Sequence, residues 1–186
     1  MSPTHLLALE IADRVTMKRD LEIAREIQSW LVPDVPPRIP GYEFAFVTRP
    51  ANTVAGDYYD VFARNCNGDP DSVLVTVPDV AGKRIPAALL MASFQASLRV
   101  LSATPSSLDD VIHRLNSAAC SNSQGGRRFT TAFLAELNSS TGQLTYVNAG
   151  HNPPALCRSS GEIERLTRGG MGRRWLLWTS AGESNY

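Results

Sequence analysis

Two short segments place a carboxylate against glycine where a strand would end: Ala55-Gly56-Asp57 and Pro78-Asp79-Val80-Ala81-Gly82. If their strands are neighbours, Asp57 and Asp79 converge at one edge. Hard divalent cations such as magnesium and manganese take oxygen ligands, and carboxylates on rigid strand ends supply them. The glycines let backbone carbonyls approach without a side chain intervening. On spacing alone a plainer reading stands beside this one, because Asp-Gly and Gly-Asp pairs commonly punctuate turns.

Other residues compete for chemical roles. Asp60 follows Asp57 by three residues, so on an extended strand it falls on the opposite face and reads as structural support. His151 stands in a turn framed by Gly150 and Pro153, where a general-acid role and a plain turn role are both open. Lys83 and Arg84 could meet a phosphate or an acidic partner, or could be a solvated pair ahead of a helix. Thr130 and Thr131 sit in an apolar run and read as β-formers. No serine or cysteine stands in an activated constellation, so a covalent intermediate is not expected.

The elements that must position these groups are legible in outline. Thr4 to Leu31 contains no proline or glycine and reads as a helix. Met17, Ala24 and Leu31 recur every seven residues, with Leu21 and Ile27 between and polar Gln28 interrupting the seam. That pattern suits pairing with another helix, of this domain or of a second copy, and equally an amphipathic helix lying on its own domain. The prolines of VPDVPPRIPGY end the helix. Tyr42, Phe44 and Phe46 alternate as in a strand, Asp57 to Phe62 reads as the start of its partner, and NCNGDPDS is a turn. Ser72 to Val77 reads as a buried strand ending at Pro78-Asp79. A helix follows from Ile85 to about Ala103, then a second one capped by Ser106 or Ser107. FTTAFLAELNSSTGQLTYVNAG reads as a hairpin turning through Asn138 to Gly142, and Pro154–Arg158 with Glu162–Leu166 as a further strand pair. Strands, helices and strands in that order give an α+β layered class.

Taken together, GDYYD, DVAGKRIPAALLMA and FTTAFLAELNSSTGQLTYVNAGHNPPAL resemble the PPM-type metal-dependent serine/threonine protein phosphatases. The bacterial branch typified by the stage II sporulation protein E phosphatase domain is the nearest in pattern. The resemblance runs from about Leu21 to Gly170, and EIAREIQSWLVPDVPP is similar to the connector that introduces such domains. It implies an αββα layered sandwich preceded by a helix, with residues 1–33 as helix and linker, 41–171 as phosphatase domain and 172–186 as an atypical tail. It also implies that Asp57 is a metal ligand, that Asp79 bridges two Mn2+ or Mg2+ ions, and that the Val80 carbonyl is a further ligand. In the family a water held between the metals attacks the phosphorus of phosphoserine or phosphothreonine. The implied substrate is a bacterial regulatory phosphoprotein such as an anti-sigma-factor antagonist. Ala55, Pro78 and Arg84 depart from the family's usual small residues without removing a carboxylate. The tail GRRWLLWTSAGESNY lacks the Thr-Asp-Gly motif expected there, and Glu183 is its only acid. That departure predicts a domain incomplete at its carboxyl end, a truncated or frame-shifted copy whose tail after about Met171 is read out of register. It also raises a rival reading: a catalytically impaired pseudophosphatase that binds proteins or dimerises.

Composition bounds the rest. With 43% hydrophobic and 19% charged residues, the 186-residue chain is globular in character. Eighteen basic and eighteen acidic side chains cancel, so the basic surplus a nucleic-acid binder needs is missing and no nucleic-acid partner is expected. Cys66, Cys120 and Cys157 match no zinc or redox spacing and suit a reducing compartment. Neither a signal peptide nor a membrane-spanning run is read, which makes a cytoplasmic protein without membrane contact the expectation.

Overall fold

The computed structural model describes residues 3–48, 54–64, 72–82, 85–121 and 129–167. Within them lie a long helix α1 (Pro3–Ser29), strands β1 (Asp60–Ala63) and β2 (Ser72–Val80), helices α2 (Ile85–Ser102) and α3 (Leu108–Ser121), and strands β3 (Thr130–Asn138), β4 (Leu144–Ala149), β5 (Ala155–Cys157) and β6 (Ile163–Arg165). The first four strands form one antiparallel sheet in the order β1-β2-β3-β4, and β5 pairs with β6 in a second.

Local chemistry explains the turns. The β3–β4 loop closes where Asn138 N–H donates to Gln143 O at 2.9 Å and Gly142 N–H to Asn138 O at 2.9 Å. Gly142 has φ 73°, a left-handed conformation that an L side chain resists. Helix α3 is capped by Ser107, whose Oγ accepts from Asp110 N–H at 3.1 Å while Asp110 Oδ2 accepts from the Ser107 N–H at 3.3 Å.

Strand alternation gives the sheet two working faces. Tyr58, Leu74, Val80, Ala132, Leu134 and Val147 pack against Met91, Phe94 and Leu98 of α2 and Val111, Ile112 and Leu115 of α3. Each large side chain buried there contributes roughly 1.5–3 kcal/mol. On the opposite face Phe133 and Ala135 pack with Leu166, Tyr146 and Leu156, which brings the β5–β6 pair against the main sheet. The layering is therefore helices, sheet, sheet, in agreement with the α+β sandwich expected. Among the described residues no second helix layer is present, and the expected tail 172–186 lies outside them.

One ion pair and one buried arginine tie the helix layer to the sheet. Asp60, fully buried, accepts from Arg99 of α2 at 2.7 Å and 2.6 Å and also from the Tyr58 hydroxyl. The Arg99 guanidinium lies over the Phe62 ring, 4.0 Å from its centroid. Arg64 donates to Glu136 Oε1 at 3.0 Å and to the Ser106 carbonyl at 2.7 Å, so it pins the loop between α2 and α3. By length and composition alone α2 could cross a bilayer, contrary to the expectation of no such run. Its burial of Ala87, Met91, Phe94 and Leu98, and the charge of Arg99 bonded to Asp60, mark it as a core helix.

The structure corrects two further expectations. Tyr42–Phe46 keeps the expected alternation, with Tyr42, Phe44 and Phe46 half-buried and their neighbours exposed, but forms no strand. Only an isolated Ile39–Tyr42 bridge is present, because among the described residues no strand offers this segment a ladder. Strand β2 does not stop at Val77 but runs through Pro78 and Asp79 to Val80. Most of the turn NCNGDPDS, together with Cys66, Lys83 and Arg84, lies outside the described residues, and Ser72 already belongs to β2.

The buried and exposed ion pairs should differ sharply in worth. Arg64→Ala removes a side chain with no exposed surface, and should cost about 3–5 kcal/mol in urea unfolding. Arg158→Ala breaks a pair whose side chains are 55% and 48% exposed, and should cost under about 1 kcal/mol.

Candidate metal centre

The register of β1 on β2 determines where the two acids meet. Asp60 stands opposite Thr76, and the same register carried three residues back puts Asp57 opposite Asp79, where a bridge forms. Between them, Tyr58 N–H donates to Pro78 O at 3.2 Å, but proline has no N–H to return the bond. The ladder is interrupted there while the register continues. Asp57 and Asp79 form a cross-strand pair flanking that bonded position, the kind whose Cα atoms lie about 4.5 Å apart with side chains close.

Alternation puts both carboxylates on the face away from α2 and α3, while Asp60 faces the helices. The row continues across the sheet: Asp79 stands opposite Thr131 of β3, and Thr131 Oγ1 lies 3.1 Å from His151 Nδ1. His151 follows Gly150 (φ 75°), and its backbone N–H donates to Asn148 Oδ1 at 2.8 Å. Asp57, Asp79, Thr131 and His151 thus lie side by side over the end of the sheet nearest the α2 amino terminus.

Like charges directly opposite each other on a sheet are destabilising. Burial raises the Asp57 carboxyl above the usual carboxylate range, and the charge of Asp79 and a hydrogen bond to it raise it further, against the attraction of His151. Burial lowers the His151 imidazole below its usual value, opposed by Asp79 and Asp57. A pair of carboxylates that repel in this way fits a cation, which would relieve the repulsion and accept both as oxygen ligands. Among the described residues no group of three or more His, Cys, Asp and Glu is placed to hold a metal ion, so the pair would supply only part of a shell.

The backbone around the pair is tightly set. A Cβ added at Gly56 would stand 2.8 Å from the Val80 carbonyl oxygen, so the two backbones approach as only glycine allows. Gly82, at φ 132°, turns the chain directly after the Asp79-Val80 segment. Two residues at the site carry more than their sequence context indicated. Thr131, read as a β-former, stands next to Asp79 and holds His151. Gln28, read as an interruption of a seam, bonds the backbone of Ala55, two residues before Asp57. The pairing of β2 with β3 could have indicated Thr131, but nothing local to Gln28 points to Ala55.

Comparison with known proteins gives the family and the fold. The family described as stage II sporulation protein E matches residues 69–172. Phosphoserine phosphatase RsbU of Bacillus subtilis is 32% identical over 137 residues, covering 74% of this chain and 39% of that protein. The chain spans 29% to 39% of the length of the curated relatives it matches. Among solved structures, the SiaA-PP2C domain of Pseudomonas aeruginosa superposes with a TM-score of 0.64 at 18% identity, over 89% of this chain and 64% of that one. RsbX in complex with magnesium superposes with a TM-score of 0.54 at 21% identity, over 75% of this chain and 61% of that one. At those identities the superpositions establish the fold, and with the family match over more than half of the sequence they lead to one assignment: the chain belongs to the stage II sporulation protein E family of PPM-type phosphatase domains.

Proposed function

We propose that this chain is a metal-dependent protein phosphatase domain acting on phosphoserine or phosphothreonine of a bacterial regulatory phosphoprotein, of the anti-sigma-factor antagonist type. The observation that carries the reading is the cross-strand pair Asp57–Asp79, two carboxylates set face to face whose repulsion a bound cation would relieve. Family membership and the reaction named for RsbU support the substrate class. Magnesium in the RsbX structure supports Mg2+ or Mn2+.

In this reading Asp57 and Asp79 hold the metal ions, with the Val80 carbonyl as a further ligand. When bound, such cations supply Lewis acidity: they lower the pKa of a nucleophilic water and offset charge on the phosphoryl oxygens. The chain's own residues provide the rest. The strand register holds the carboxylates at fixed separation, and Thr131 orients His151 beside them, where the imidazole can donate to a phosphoryl oxygen. Residues 1–33 serve as helix and linker, and 41–171 as the phosphatase domain. The proposed setting is cytoplasmic, without nucleic acid or membrane.

A homodimer through α1 is part of the proposal. Every residue from 3 to 20 is exposed, so about 27 Å of helix stands clear of the domain. Leu6, Leu7, Leu9, Ile11, Val15 and Met17 there are at least 47% exposed. Leu7, Ile11 and Val15 recur every four residues along one side of that helix, and a second copy of the same helix would cover them. Leu21 and Ala24, by contrast, are half-buried in the part of α1 that meets the domain.

Purified protein should release phosphate from a phosphoserine-bearing protein in millimolar Mn2+, and Asp79→Ala should reduce that to background. Folded protein without release, or release indifferent to Asp79→Ala, would defeat the proposal. For the pairing, Ile11→Glu should halve the mass by light scattering while leaving phosphate release from a small aryl phosphate intact. An unchanged mass would remove α1 as the dimer contact.

A further inference from the structure

We infer that Gln28 of α1 is a positioning residue for Asp57, setting the carboxylate pair through the backbone of Ala55; the inference rests on the metal-centre reading above. The Gln28 amide takes up both polar groups of one residue. Its Nε2 donates to Ala55 O at 2.6 Å and its Oε1 accepts from Ala55 N–H at 2.9 Å. It occupies the place that a neighbouring strand would fill.

The need for such a latch follows from Pro78. Sheet pairing grips this stretch at Tyr58, where only one of two ladder bonds can form. Upstream of that point Ala55, Gly56 and Asp57 approach the Val80 backbone, with Gly56 in close contact with the Val80 carbonyl. Val54 just before them is 3% exposed and anchors the segment's other end. Gln28 thus holds one side of a segment whose other side lies against Asp79-Val80. A shift of Ala55 away from Gln28 carries Asp57 out of line with Asp79. Side-chain length and polarity are both required. Leucine fills similar space without either bond, and glutamate accepts from the N–H but sets a charge against the Ala55 carbonyl. Supporting contacts that orient a metal ligand typically change affinity by about 10–100-fold when removed.

Three measurements on the full chain test this. Amide hydrogen exchange on the wild-type protein should show Ala55 protected. Exchange at the rate of an open chain would overturn the latch whatever the variants do. Isothermal titration with Mn2+ should show Gln28→Leu and Gln28→Glu binding about 10–100-fold more weakly than wild type. The exposed control Arg25→Gln on the same helix should bind normally. The metal-free unfolding midpoint and far-ultraviolet circular dichroism of the variants should stay near those of wild type, which separates positioning from general loss of structure. Wild-type affinity in Gln28→Leu would overturn the inference, as would a loss of Mn2+ binding that appears only with loss of fold in both variants. A wild-type protein that binds no Mn2+ would instead defeat the metal-centre reading, while the exchange result still reports on the latch itself.

Discussion

Antiparallel register leaves no freedom in where Asp57 falls once Asp60 stands opposite Thr76: three residues back along one strand and three forward along the other, it must face Asp79. Much of the site depends on that constraint. The nine-residue β2 is held by β3 along its whole length, so Asp79 cannot move relative to Thr131 without breaking a ladder. The weaker side is toward β1, where proline removes one bond. The chain therefore presents one acid on a rigid strand and the other on a segment that needs outside support.

The two faces of the sheet divide the work by charge. Toward the helices, acids are matched by arginines: fully buried Asp60 by Arg99, and partly exposed Glu136 by the fully buried Arg64. Breaking such a pair strands a charge in the core, so these contacts fix the placement of α2 and of the loop before α3. On the opposite face Asp57 and Asp79 have no arginine or lysine partner among the described ion pairs. The contrast between Asp57 and Asp60, three residues apart, is a consequence of period-two alternation. One carboxylate is neutralised by protein, and the other stands beside a second acid and invites a metal ion.

Much of this was legible in the sequence because it depends on local pattern. The β3–β4 hairpin announces itself through Asn138 and Gly142, the helices through composition and the Ser107 cap, and the acids through their glycines. What was not legible depends on partners distant in the chain. Tyr42–Phe46 alternates as a strand does, but alternation reports which side faces the core and not whether a ladder partner exists. Pro78 reads as a strand terminator, yet its missing N–H points toward Tyr58 and leaves the β3 ladder whole. Thr131 looks like any β-former until the register sets it beside Asp79.

Gln28 shows most plainly why a polar residue in an apolar seam resists local interpretation. Within the heptad pattern it lowers the case for helix pairing, and its neighbours Leu21, Ala24 and Leu31 would pack without it. Its bonding partner is 27 residues away, and what it contributes there is direction rather than burial. Apolar contacts along α1 tolerate small slides and rotations, since area changes little with a fraction of a turn. Two hydrogen bonds to one backbone residue do not, because their strength falls steeply with distance and angle. The helix thus has a projecting arm exposed along its length, a packed end that is tolerant, and at that end one contact that is not. The two Gln28 bonds join the helix directly to the segment that carries Asp57.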